Sequence, residues 1–242
     1  MASIQRARAD LDGGALTRRE KKRESKMSIQ RKQRVLVVVA NLTTYGRDDL
    51  KWLYRWLDAN AVSVARIALF ARYRQILTLT GEEAAAENFV DTLDRLAADP
   101  QTQAIDVLIN LHGMPSALWF ADGEIRTARL ADQIVERHLP PKLRLLYSTA
   151  CYGASHAPDF VRAGFRVASG AIGVNANGAH DYPVELLYWG LGATYRDALK
   201  AGNAKWAIEA YDKLAVQAQF EDVCSTKIAV GSGLTRITSS AA

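Results

Sequence analysis

Ile105-Asp106-Val107-Leu108-Ile109-Asn110-Leu111 runs without a break into His112-Gly113, and its apolar, β-branched character predicts a strand. A second such run, residues 143–149, leads into Ala150-Cys151-Tyr152-Gly153. Each places a chemically useful side chain one or two residues past a strand's C-terminal end. Upstream, Val35-Leu36-Val37-Val38-Val39 is apolar throughout, as expected of a strand covered on both faces. Asp48 and Asp49 then open a helix whose Leu50, Leu53, Tyr54 and Leu57 follow the i, i+3, i+4, i+7 rule. Residues 62–70 read as a second strand. Thr80 and Glu83 read as a capping box before a helix carrying Phe89, Leu93 and Leu96. Residues 119–125 turn at Asp122-Gly123 and predict a small hairpin. A helix with Leu130, Ile134 and Val135 on one face stops at Pro140-Pro141. A short strand over 167–169, helices over 184–200 and 204–220, and a last strand over 228–230 complete the pattern.

Strands alternating with helices at this spacing imply an α/β chain with a mostly parallel central sheet and helices on both faces. Ligands of such sheets bind beyond the carboxyl ends of the strands. If the strands preceding His112 and Cys151 are neighbours, both side chains open onto one rim.

The chain has 242 residues, enough to bury a substantial core. No apolar run approaches the roughly 20 residues needed to span a bilayer, and the N-terminus lacks the apolar core of a secretory signal. Two cysteines, Cys151 and Cys224, make no disulfide framework, which fits a reducing, cytoplasmic setting. The formal charge of +5 is unevenly spread. Residues 1–34 hold eleven Lys or Arg against four Asp or Glu, and the remainder holds 20 against 22. The excess belongs to a tail without apolar periodicity, so residues 1–33 are expected to be a disordered basic tail and no specific nucleic-acid partner is implied.

A thiol attacks as thiolate, and an adjacent imidazole can take its proton and later protonate a leaving amine. Backbone amides of Gly113 and Cys151 are placed to hold a developing oxyanion, at about 3–4 kcal/mol per donor. The bland alternative is a small buried cysteine and a structural histidine. The joint position of the pair after core strands favours chemistry.

Leu111-His112-Gly113 resembles the strand–His-Gly signature of the caspase-like peptidases, and Thr149-Ala150-Cys151-Tyr152-Gly153 resembles the caspase Gln-Ala-Cys-x-Gly box. The hairpin and helix between them also look like those of caspases and metacaspases. The resemblance spans about residues 34–200 and implies a three-layer α/β/α caspase-like domain over 34–242. It implies a Cys151/His112 dyad, an oxyanion site at the Gly113 and Cys151 amides, a peptide or protein substrate, and no metal or organic cofactor. Regulation by a protein partner or by processing is a further expectation. Thr149 stands where caspases carry a Gln that binds an acidic P1 side chain, and where metacaspases carry an acid that binds a basic one. Neither preference therefore carries over. Asp181 would favour a basic P1 and Arg47 an acidic one, though both also read as ordinary loop charges.

His156 and His180 compete weakly with His112, and His138 suits a helix C-terminus. No metal-ligand spacing appears. Residues 170–178 lack phosphate-loop order, which argues against a flavodoxin-like binder. Trp52 and Trp56, one helical turn apart, read as core, with a partner surface as the alternative. A non-catalytic scaffold of the same fold is the main alternative to a peptidase.

Overall fold

The computed structural model describes residues 28–241. Residues 1–27, the bulk of the basic tail, lie outside the described residues. Residues 28–33, also assigned to the tail above, lie against the rest of the chain: the Ile29 amide donates to Thr238 O at 2.9 Å, and the Arg34 guanidinium donates to Ile29 O.

The strands are β1 (Arg34–Asn41), β2 (Gln75–Thr80), β3 (Ala104–Met114), β4 (Ala117–Phe120), β5 (Gly123–Arg126), β6 (Leu143–Ser148), β7 (Val167–Ala171) and β8 (Lys227–Gly231). The helices are α1 (Lys51–Leu69), α2 (Ala86–Ala98), α3 (Thr127–Glu136), α4 (Gly153–Arg162), α5 (Gly178–Gly190), α6 (Tyr195–Gly202) and α7 (Lys205–Gln217). The sheet order is β2-β1-β3-β6-β7-β8, parallel except for the β7–β8 pair, and the β4–β5 hairpin branches from the end of β3.

β1 is buried along its whole length, and its two faces serve different cores. Val35, Val37 and Val39 pack with Phe89 and Leu93 of α2, Leu130 and Ile134 of α3, and Phe160 of α4. Leu36 and Val38 pack with Ala61, Ala65 and Leu69 of α1 and with Tyr182 and Trp189 of α5. Each fully buried aliphatic side chain contributes about 1.5–3 kcal/mol. The result is the expected three-layer α/β/α arrangement. The sheet's second core also encloses an ion pair, Arg144–Asp106 at 2.6 Å, with Arg144 donating further to Ile237 O and Ser239 O.

Four local expectations are corrected. Residues 62–70 are the second half of α1 and its cap, not a strand. Ala61, Ala65 and Leu69 recur every four residues on the buried side, and this helical stripe outweighs the local β-branched bias. The second strand is instead Gln75–Thr80, at the sheet edge and only half buried. Thr80 does not cap a helix: α2 begins at Ala86, whose amide is received by Asp122 in the hairpin turn. The helix expected over 184–200 is two, α5 and α6, separated where Gly192 takes a φ of +88° and Thr194 caps Asp197. Trp52 and Trp56 are exposed rather than core.

Candidate active site

Parallel pairing brings His112 and Cys151 to the same end of the sheet. β3 and β6 are neighbours in register Ile109↔Ser148, so the two residues stand three positions beyond one matched pair. β1 connects outward to β2 on one side and pairs with β3 on the other, which makes the carboxyl ends of β1 and β3 the topological switch point. The loop after β1 wraps over His112 there. β3 itself continues through His112 and Gly113 and pairs with β4.

The His112 ring is fixed on two sides. Its Nε2 lies 2.9 Å from Leu42 O and 3.2 Å from Tyr45 O. Carbonyls only accept, so Nε2 carries the proton and the lone pair of the neutral ring is on Nδ1. Tyr54 of α1 packs edge-on against the ring with centroids 4.9 Å apart. Gly46 closes the loop at a φ of +93°, where a Cβ would stand 2.7 Å from His112 Nε2. Burial pushes the His112 imidazole below its usual value, against the raising effect of the two carbonyls.

Behind the loop, Asp58 of α1 accepts the Leu42 amide and the Asn110 side-chain amide, the latter at 2.9 Å. Asn110 in turn accepts from Thr149 Oγ1 at 2.8 Å. A continuous polar chain thus joins Thr149, Asn110, Asp58 and Leu42 to His112. Burial holds the Asp58 carboxyl up to about 6.

Cys151 occupies the turn from β6 into α4. Tyr152, next in the chain, is left-handed at a φ of 56° and donates its amide to Gly173 O. Gly113 lies directly against this turn, and a Cβ there would meet Cys151 O at 2.4 Å. Burial pushes the Cys151 thiol up, opposed by the backbone amide of Asn175 and by the charge of Lys227. Both cysteines are free.

His112, Thr149 and Cys151 line one cavity of about 390 Å³, walled by α1, the loop after β7, and α7 with the segment that follows it. Asp181 is not part of it. That residue is buried in α5, ion-paired with Lys227 of β8 and receiving the Tyr147 hydroxyl at 3.1 Å. Arg47 does not line the cavity either: it pairs with Asp49 at 2.7 Å, donates to Ala218 O and lies over the Phe220 ring. His156 is buried behind Gly113 with Nε2 on Met114 O, and His180 packs on Trp206. Among the described residues, no group of three or more His, Cys, Asp or Glu is placed to hold a metal ion.

Sequence reasoning missed Asp58, Asn110, Tyr54 and Asn175. Asn110 was the most legible of these, a lone amide near the end of an apolar strand. Asp58 lies four residues after Tyr54 on the same side of its helix.

No family model and no curated protein matches the chain. Among solved structures, caspase-1 from Spodoptera frugiperda is similar with a TM-score of 0.56, covering 88% of this chain and 92% of that chain at 14% sequence identity. The fold is caspase-like.

Proposed function

We propose that the protein is a cysteine endopeptidase in which Cys151 is the nucleophile and His112 its acid–base partner. The observation that supports this reading is the tautomer of His112: two carbonyls hold the proton on Nε2, which leaves the lone pair on Nδ1, and His112 lines the same cavity as Cys151. His112 Nδ1 takes the thiol proton as Sγ attacks the scissile carbonyl carbon. The amides of Gly113 and Cys151 receive the oxyanion. Collapse of the tetrahedral species breaks the C–N bond, and the imidazolium returns its proton to the departing amine. Water, deprotonated by Nδ1, then attacks the thioester and releases the acid and the thiol. A protein substrate and an activating partner belong to the same proposal, as does cytoplasmic residence. No helix among the described residues is long and apolar enough to cross a membrane.

The test is peptide hydrolysis by wild type, Cys151→Ala and His112→Ala, each checked for folding by thermal melting. Activity lost in both folded variants supports the dyad, and activity kept in Cys151→Ala overturns it. A second reading, a non-catalytic scaffold of this fold, draws on the upward displacement of the Cys151 thiol, which leaves it protonated at rest. Folded wild type that hydrolyses no peptide favours that reading.

A further inference from the structure

We infer that the cavity beside Cys151 receives a large apolar side chain, aliphatic or aromatic, on the acyl side of the scissile bond. The inference rests on the peptidase reading and adds its substrate class. Its first support is the wall. Leu53 and Leu57 of α1, Tyr211 and Leu214 of α7, and Ala61 and Phe220 are among its lining residues. Among the described residues, no Asp, Glu, Lys or Arg lines it.

The second support is where the nearby charges have gone. Asp181, which would have matched a basic side chain, is sealed against Lys227 in the core. Arg47, which would have matched an acidic one, is held by the Asp49 carboxylate and the Ala218 carbonyl. Three of the polar side chains in the lining, Thr149, Asn110 and Asn175, are engaged as well. Thr149 Oγ1 donates to Asn110 Oδ1, Asn110 Nδ2 donates to Asp58, and Asn175 Nδ2 donates to Thr149 O. A carboxylate or guanidinium entering this space would lose its water and meet no charged side chain among the described lining residues. An aliphatic or aromatic group loses only unfavourable hydration. The volume, about 390 Å³, falls within the range of about 300–1,000 Å³ usual for ligand pockets.

The test uses tripeptidyl chloromethyl ketones that share their first two residues and end in Asp, Arg, Ala, Leu or Phe. Sγ displaces chloride, forming a thioether, and intact mass follows the adduct on Cys151 with time. Wild type should react with the Leu and Phe probes at least about tenfold faster than with the Asp and Arg probes, with Ala between. Leu214→Arg sets a guanidinium at the cavity wall from an exposed helix position, and should bring the Asp probe level with or ahead of Leu. Equal or faster reaction of the Asp or Arg probe with wild type overturns the apolar assignment and leaves the peptidase reading standing. An unchanged order in folded Leu214→Arg also overturns it, by moving the preference to another part of the surface. No adduct with any peptidyl probe, on protein whose Cys151 still reacts with iodoacetamide, overturns both readings together.

Discussion

The Asp58 carboxylate receives the Leu42 amide through both oxygens, at 3.1 and 2.9 Å, while the carbonyl of that same Leu42 receives His112 Nε2. One peptide unit after another thus relays the position of a helix to the imidazole. Asp58→Asn keeps one acceptor for Leu42 and sets an amide against the Asn110 amide. Reaction of Cys151 with a peptidyl electrophile should slow by about tenfold, in keeping with small misplacements of reacting groups. The melting temperature should change little, because a carboxyl held up at about 6 gives back its burial penalty when replaced by a neutral group. Stopped-flow labelling with parallel melting curves checks both.

Burial displaces the two reacting groups in opposite directions, His112 down and Cys151 up. The resting pair is therefore thiol and neutral imidazole, not thiolate and imidazolium. Peptide hydrolysis should hold a plateau through neutral pH, with its acid limb below the free imidazole value of about 6.5. Alkylation by iodoacetamide, which needs thiolate alone, should keep rising above the free thiol value of about 8.5. Rates measured from pH 4 to 10 decide the matter; fast alkylation already at pH 6 would speak for a preformed ion pair.

Gly46 is placed where both the backbone and the space exclude a side chain. Gly46→Ala should lower stability by about 1–2 kcal/mol from the left-handed backbone alone. Its Cβ would also press on the ring of Tyr54 at 2.8 Å and on His112, so the loss of peptide hydrolysis should exceed what the melting curve accounts for.

Glu185 is fully buried in α5, near the phenols of Tyr147 and Tyr195, and neither carboxyl oxygen has a hydrogen bond of ordinary geometry. Burial holds it up to about 8. The folded value lies above the unfolded one of about 4.3, so the stability linked to this proton is complete at low pH and is lost as pH rises through about 8. Glu185→Gln removes the titration. Its stability advantage over wild type should grow from about pH 5 to pH 8 and then level off, at a size on the order of a few kcal/mol. Denaturant melts at pH 5, 7 and 9 give the comparison.

What could be read from the sequence follows the strength of local signals. β1, β3 and β6 were plain because a strand covered on both faces is mostly apolar, and the hairpin was plain from Asp122-Gly123. The second half of α1 was misread because Val62, Val64 and Ile67 favour extended chain locally, whereas the sheet packs on Ala61, Ala65 and Leu69. β2 was passed over although Leu77-Thr78-Leu79-Thr80 alternates, because it is a short, half-exposed edge strand. Of the candidate residues, His112, Cys151 and Thr149 meet at one cavity and Gly113 lies against the Cys151 turn. Asp181 fell elsewhere because its partner, Lys227, is 46 residues away in the chain, a distance no local pattern spans. Asp58 was missed for the same reason, since its value lies in Leu42 and Asn110.

The pairing Ile109↔Ser148 has a consequence for how this chain tolerates change. Two spans of three steps along the chain, from Ile109 to His112 and from Ser148 to Cys151, act as matched rulers measured from a shared zero. Substitutions inside them leave their lengths intact. Inserting or deleting one residue in the β3 ruler shifts its tip by about 3.3 Å and turns the side chain to the opposite face. Sequence can therefore drift widely around this rim, while the count of residues along the β3 ruler has no such freedom.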